Sequence, residues 1–114
     1  MRFAFEEEQH LMRDTVRDML KGECAPDKVQ TAWTNADGRV PGLWQKFSEL
    51  GILGMLISEE NGGLGMNELD LVLVLEELGR AASPEPFVDT AVVGGPLLED
   101  CADTDTKTRL LSGI

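Results

Sequence analysis

Residues 68–80 read Glu68-Leu69-Asp70-Leu71-Val72-Leu73-Val74-Leu75-Glu76-Glu77-Leu78-Gly79-Arg80. Apolar side chains cover the circumference of the helix predicted here over its first turns instead of forming one stripe, and a helix of that kind is surrounded by protein. Asn67 with Asp70 offers a start resembling a capping box. Ser83-Pro84-Glu85-Pro86 forces an exit, because each proline biases its predecessor towards extended geometry and has no N–H to donate. The stretch is the expected centre of an all-α fold.

Upstream lies Ser58-Glu59-Glu60-Asn61-Gly62-Gly63-Leu64-Gly65-Met66, a tight, strained connection. Before it, residues 52–57 form a brief aliphatic stretch interrupted by Gly54, expected as extended chain plugged into the core. Leu43, Trp44, Phe47 and Leu50 make the apolar stripe of a helix, with Pro41 suited to its first turn and Gly51 to a left-handed cap. Asn35-Ala36-Asp37-Gly38 supplies turn chemistry, and a short helical turn is expected over residues 29–33. In residues 6–21, Met12, Val16, Met19 and Leu20 recur at helical spacing. Three glutamates stand in its first turn, and Lys21 with Gly22 closes it.

Downstream, Phe87, Val88, Ala91 and Val92 resume helical spacing until Gly94-Gly95-Pro96, which is expected to break or bend the helix before Leu97 and Leu98. A last helix is expected over residues 105–112. The pattern predicts a compact bundle of five or six helices, a single domain over residues 1–114. An apolar Ile114 at the terminus suggests that the native polypeptide continues.

A net charge of −11 sets the field of the whole chain, and such a field repels nucleic-acid phosphates and anionic lipid. No nucleic-acid partner is expected. Cys24 and Cys101 form no C-x-x-C pair and have a single histidine, His10, to join them, so both are expected as buried, reduced thiols and no metal site is expected. Glu6, Glu7 and Glu8 stand where a signal peptide would be apolar, and the longest aliphatic run, residues 71–75, is far below the roughly 18 residues of a membrane span. A cytoplasmic location is expected.

Few residues invite chemistry. The glycines at positions 62, 63 and 65 imitate a phosphate loop, yet the lysine and spacing of such motifs are missing and Glu59 and Glu60 would repel a phosphate. They read as glycines needed for backbone shape. Glu76 and Glu77 are adjacent carboxylates that point about 100° apart on a helix, so an ion-pair network with Arg80 explains them better than acid–base work. His10 is expected to be exposed and paired with Glu6, and Trp33 and Trp44 to be core or interface material. No nucleophile, base or cofactor fingerprint emerges.

Together, Glu8-Gln9, residues 13–18, Trp44, Glu49-Leu50-Gly51-Ile52-Leu53-Gly54, residues 59–65, Glu76-Glu77-Leu78-Gly79-Arg80, and Lys107 before Leu110-Leu111 resemble, in order and spacing, the N-terminal domain of acyl-CoA dehydrogenases. The resemblance spans nearly the whole chain. It implies an enzyme that removes hydrogens from the α and β carbons of an acyl-CoA thioester and passes a hydride to FAD, usually as a homotetramer. A middle β-domain and a C-terminal helical domain, which hold most flavin contacts and the catalytic glutamate, are absent from these residues. By position, the resemblance implies acyl-chain contacts at Phe87, Thr90, Ala91 and Gly94, and no catalytic or cofactor-binding residue in this chain. Ser58 departs from the family, which often has proline there, and so does the Gly94-Gly95-Pro96 break.

The expected function is therefore the N-terminal domain of an FAD-dependent acyl-CoA dehydrogenase, helping to wall the acyl pocket, inactive and without bound cofactor by itself. Its expected partners are the remaining domains of the same polypeptide and a homo- or hetero-tetramer. Two alternatives stay open, a stand-alone helical interaction module and a non-catalytic subunit derived from this domain.

Overall fold

A computed structural model describes residues 4–114, and every regular element among them is helical. The expected all-α class holds. The chain divides into two units, the residues up to Trp44 with Leu69–Glu85, and Gln45–Glu68 with Pro86–Ile114.

The first unit is built on α1 (Glu7–Glu23), α2 (Pro26–Ala32), the start of α3 (Leu43–Leu50) and nearly all of α4 (Glu68–Arg80). The Glu6 N–H donates to Gln9 Oε1 at 2.8 Å, satisfying an N-terminal backbone donor, and the same side chain donates through Nε2 to Asp70 on α4 at 2.8 Å. Helix α1 runs two residues past Lys21: Gly22 stays inside it, and the Cys24 N–H closes the end on the Leu20 carbonyl at 2.8 Å. Pro26 opens α2 earlier than expected, since a proline in the first turn has no N–H to waste. Val16, Leu20, Val29, Ala32, Leu71, Val74 and Leu78 are all buried, and each fully buried Val or Leu side chain contributes about 1.5–3 kcal/mol.

Helix α4 is not enclosed on all sides as expected. Leu69 is 65% and Val72 42% exposed, while Leu71, Leu73, Val74, Glu77 and Leu78 are buried. The apolar run therefore exceeds what this chain covers. At its end, Ala82 takes a left-handed conformation with φ 52°, and the Ser83 N–H reaches back to the Leu78 carbonyl at 3.1 Å.

The second unit holds the rest of α3, two 3₁₀ turns (Ile52–Gly54 and Glu59–Asn61), a π-helix (Val88–Gly94), α5 (Gly95–Cys101) and α6 (Thr104–Leu111). Gly51 takes the left-handed cap as expected, with φ 78°. Residues 52–57 do plug the core, with Ile52, Leu53, Met55 and Ile57 buried. They are wound and not extended, because Met55 and Ile57 donate to carbonyls three residues back.

The Gly94-Gly95-Pro96 break is also corrected. Helical winding continues from residue 87 to residue 101, and the wider π turn carries the chain through. The Gly95 N–H donates five residues back, to the Thr90 carbonyl. A π turn leaves room for Pro96 in the first turn of α5, where its missing N–H costs little. Asp103 caps α6 by accepting the Thr106 N–H at 2.8 Å. Of the two thiols Cys24 is buried as expected, whereas Cys101 is exposed near the end of α5; both are free.

Candidate functional site

The glycine segment shows its purpose in its hydrogen bonds. The N–H groups of Gly62, Gly63, Leu64, Gly65 and Met66 donate to the carbonyls of Glu59, Ser58, Gly54, Ile57 and Met55, so none is left to receive an anion. A Cβ on Gly63 would collide with Ile57 backbone and side chain and come within 2.6 Å of the Gly54 carbonyl oxygen. Gly63 permits close backbone packing, while Gly62 and Gly65 supply left-handed backbone at φ 90° and 63°, so the glycines serve backbone shape as the sequence suggests.

A carboxylate from the same unit fastens this segment. Glu99 on α5 accepts from the Ser58 N–H at 3.0 Å, the Ser58 hydroxyl at 2.9 Å and the Asn61 amide at 2.9 Å. The Asn61 hydrogen bond, followed by those of Ser58, holds the Glu99 carboxyl below its ordinary value of 4.5 against the opposing effect of burial. Ser58, the departure from the family pattern, is thus a double donor to Glu99. Sequence reasoning missed Glu99, which lies 41 residues from Ser58.

The four residues expected to meet an acyl chain lie on the continuous helix that Glu99 anchors. Phe87 and Ala91 are buried, and Phe87 packs edge-on against Phe47 with ring centroids 5.8 Å apart. Thr90 and Gly94 are half-buried. The exposed apolar side chains of the same element are Val88, Val93 and Leu97, each more than half exposed. Val88 and Val93 are five residues apart, a spacing that a π turn brings towards one face and an α-helix does not. A Cβ on Gly94 would sit 2.9 Å from the Asp89 carbonyl oxygen, and one on Gly95 2.9 Å from Ile57 Cδ1. Backbone crowding requires a small residue at Gly94, whereas the nearest contact at Gly95 is the tip of the Ile57 side chain, with the Thr90 carbonyl oxygen at 3.2 Å.

The ionisable groups of the first unit form structural pairs. Glu76 and Glu77 both meet Arg80 as expected, at 3.0 and 3.6 Å, but the stronger partner of Glu77 is Arg17 on α1, whose guanidinium donates to Oε1 at 2.6 and 3.1 Å. The Arg17 hydrogen bond holds the buried Glu77 carboxyl below its ordinary value. Glu85, legible from sequence only as part of a proline-rich exit, has a buried side chain that accepts from Arg39 Nε at 2.9 Å. The Arg39 guanidinium lies 5.1 Å from the ring centre of Trp44, a cation–π distance.

His10 is half-buried, where an exposed position was expected; its ring sits edge-on to Phe5 with centroids 6.2 Å apart. Its Nδ1 is buried with no hydrogen-bond partner among the described residues. Trp33 is 72% exposed, an interface position if either, and Trp44 is half-buried. Among the described residues no group of three or more His, Cys, Asp or Glu side chains could hold a metal ion, and no helix is long and apolar enough to cross a membrane.

Residues 6–114 match the family model described as acyl-CoA dehydrogenase, N-terminal domain. The chain is 37% identical over 93 residues to the acyl-CoA dehydrogenase IpdE2 of Mycolicibacterium smegmatis, covering 81% of this chain and 30% of that protein. To the IpdE2 of Mycobacterium tuberculosis it is 32% identical over 109 residues, 94% of this chain and 34% of the relative. The probable acyl-CoA dehydrogenase YngJ of Bacillus subtilis is 35% identical over 82 residues, 71% of this chain and 21% of that protein. No solved structure matches significantly. The chain therefore spans about a third or less of the curated relatives it matches. With a family match covering nearly all of an all-α chain, this protein belongs to the acyl-CoA dehydrogenase family as an N-terminal domain.

Proposed function

We propose that the chain serves a flavin-dependent acyl-CoA dehydrogenase, where the helix of residues 87–101 lines one side of the acyl-chain pocket. The observation that carries this reading is the apolar surface on that helix, within a chain matched to the family over residues 6–114. Val88, Val93 and Leu97 offer free hydrocarbon surface, Thr90 and Gly94 lie beside them half-buried, and the buried Phe87 and Ala91 set the position of the wall from behind. FAD, when bound, accepts the hydride. The residues that hold it and the catalytic base belong to the remaining domains of the same polypeptide, in a cytoplasmic homo- or hetero-tetramer. The acidity of the chain supports a place at the apolar tail, since phosphates of coenzyme A meet an unfavourable field here.

The 114-residue chain is accordingly inactive by itself. Offered FAD, it is expected to retain no flavin absorbance after gel filtration and to reduce no dye with acyl-CoA present. Stoichiometric flavin with acyl-CoA oxidation would overturn the assignment of the chemistry to other domains. In a flavoenzyme carrying this domain, Val93→Phe is expected to shift preference to shorter acyl chains at unchanged flavin content, by about tenfold in kcat/KM between neighbouring lengths. An unchanged chain-length profile would sink the wall.

A further inference from the structure

The first unit carries a groove of about 680 Å³ that the reading above does not use. Leu20, Cys24, Val29 and Trp33 line it, and Ala81 and Ala82 close one side. Its size falls in the range of small-molecule sites, which are mostly apolar with a few placed polar groups. Trp33, 72% exposed, presents an aromatic face at the groove that an apolar ligand body can stack on.

The charge around the groove runs against that of the chain. Arg17, Lys21 and Arg80 line it, three of ten basic residues in a chain of net charge −11, and Glu77 is its one carboxylate among the lining residues. Glu77 is already held by Arg17 and Arg80. Lys21 has no carboxylate partner among the described residues. An apolar trough with one uncommitted ammonium at its edge is complementary to a molecule with a hydrocarbon body and a single negative head. Burial pushes the Cys24 thiol up from its ordinary value, so this wall stays neutral and apolar.

We infer that this groove is a binding site for a small amphipathic carboxylate, its head group at Lys21 and its aliphatic or aromatic body between Leu20, Val29 and Trp33. The inference stands on the first unit alone and is independent of the acyl pocket proposed for the second. An aliphatic probe such as decanoate and an aromatic one such as naphthoate share this chemistry, and titrating both tells which body fits.

The test is a titration of Trp emission in the 114-residue chain with decanoate, naphthoate and the neutral decanamide. A saturable change is expected with at least one carboxylate, lost in Trp33→Phe, and about tenfold weaker for the amide and in Lys21→Gln, as expected for one charge contact. Lys21 is exposed, so its replacement leaves the core intact, and circular dichroism checks this. No saturable change, equal affinity for the amide, or unaltered binding in Lys21→Gln overturns the site. The same titration on a longer protein containing the chain is expected to give the same affinity. Loss of binding there would mean that another segment of polypeptide covers the groove, which equally overturns it.

Discussion

Long-range side-chain pairs cross the first unit over its apolar core, whereas the second adds close backbone contact to its Glu99 anchor. In the first, Gly22, Gly38, Gly42 and Gly79 would gain a Cβ without touching anything within 4 Å, and only Gly38 and Gly42, at φ 68° and 80°, resist one through their left-handed backbone. Its distant segments are joined by Arg17 with Glu77, Arg39 with Glu85 and Gln9 with Asp70. In the second, a Cβ on Gly63, Gly94 or Gly95 would run into backbone or a core side chain within 3 Å. The lesson is that tolerance to substitution differs by unit. Side-chain pairs give way gradually, because their arginines can turn to water, whereas backbone in contact with backbone has nowhere to go.

The sharpest way to break this contrast is Gly63→Ala. One methyl group here must displace the Ile57 and Gly54 backbone, so we expect a loss of at least about 3 kcal/mol in urea unfolding or failure to fold. A loss below about 1 kcal/mol would show that the segment can shift and that the second unit is not held by close contact.

Next in size is Glu77→Gln, which removes the charge beneath Arg17 and Arg80. Both arginines reach solvent, at 36% and 60% side-chain exposure, so the cost should be about 1–2 kcal/mol, less than for a fully enclosed pair. The Glu77 carboxyl lies below its ordinary 4.5, so its contribution is complete above that pH and fades as pH falls through the lower, folded value. The urea midpoint of the parent should therefore fall on acidification, and the variant should lose part of that slope. An identical slope in both proteins would remove the ion pair from the account of the first unit.

The smallest effect is expected at Ala82, where the first unit uses a left-handed residue without a glycine to supply it. Ala82→Gly should raise stability by about 0.5–1 kcal/mol, read as an increase in Tm. A decrease would mean that the methyl group packs usefully at the end of α4.

Much of this architecture was legible because it is local. The stripes of α1 and α3, the cap at Gly51 and the exit at Ser83-Pro84 each depend on residues within a turn or two, and the structure has them. What escaped is what joins distant residues: Arg17 lies 60 positions from Glu77, Arg39 46 from Glu85, and Ser58 41 from Glu99. No spacing rule reaches that far. The candidate wall was legible as an element, through family resemblance, but not in its faces. Periodicity assumed an α-helix, and the π winding exchanges the residue that follows Val88 on the surface. Helix α4 erred in the other direction, since hydropathy alone does not say which chain covers Leu69 and Val72.

The π winding also makes length itself a constrained property of residues 88–94. An α-helix advances about 100° per residue and the wider π turn less, so deleting a single residue there would let ordinary winding return with the two flanks close to their present orientation. Phe87 and the helix from Gly95 onward would keep their inward faces, and the change would fall on the outer residues between them. Lengthening this stretch by one residue, with no such slack left to take up, should therefore be far more damaging than shortening it by one.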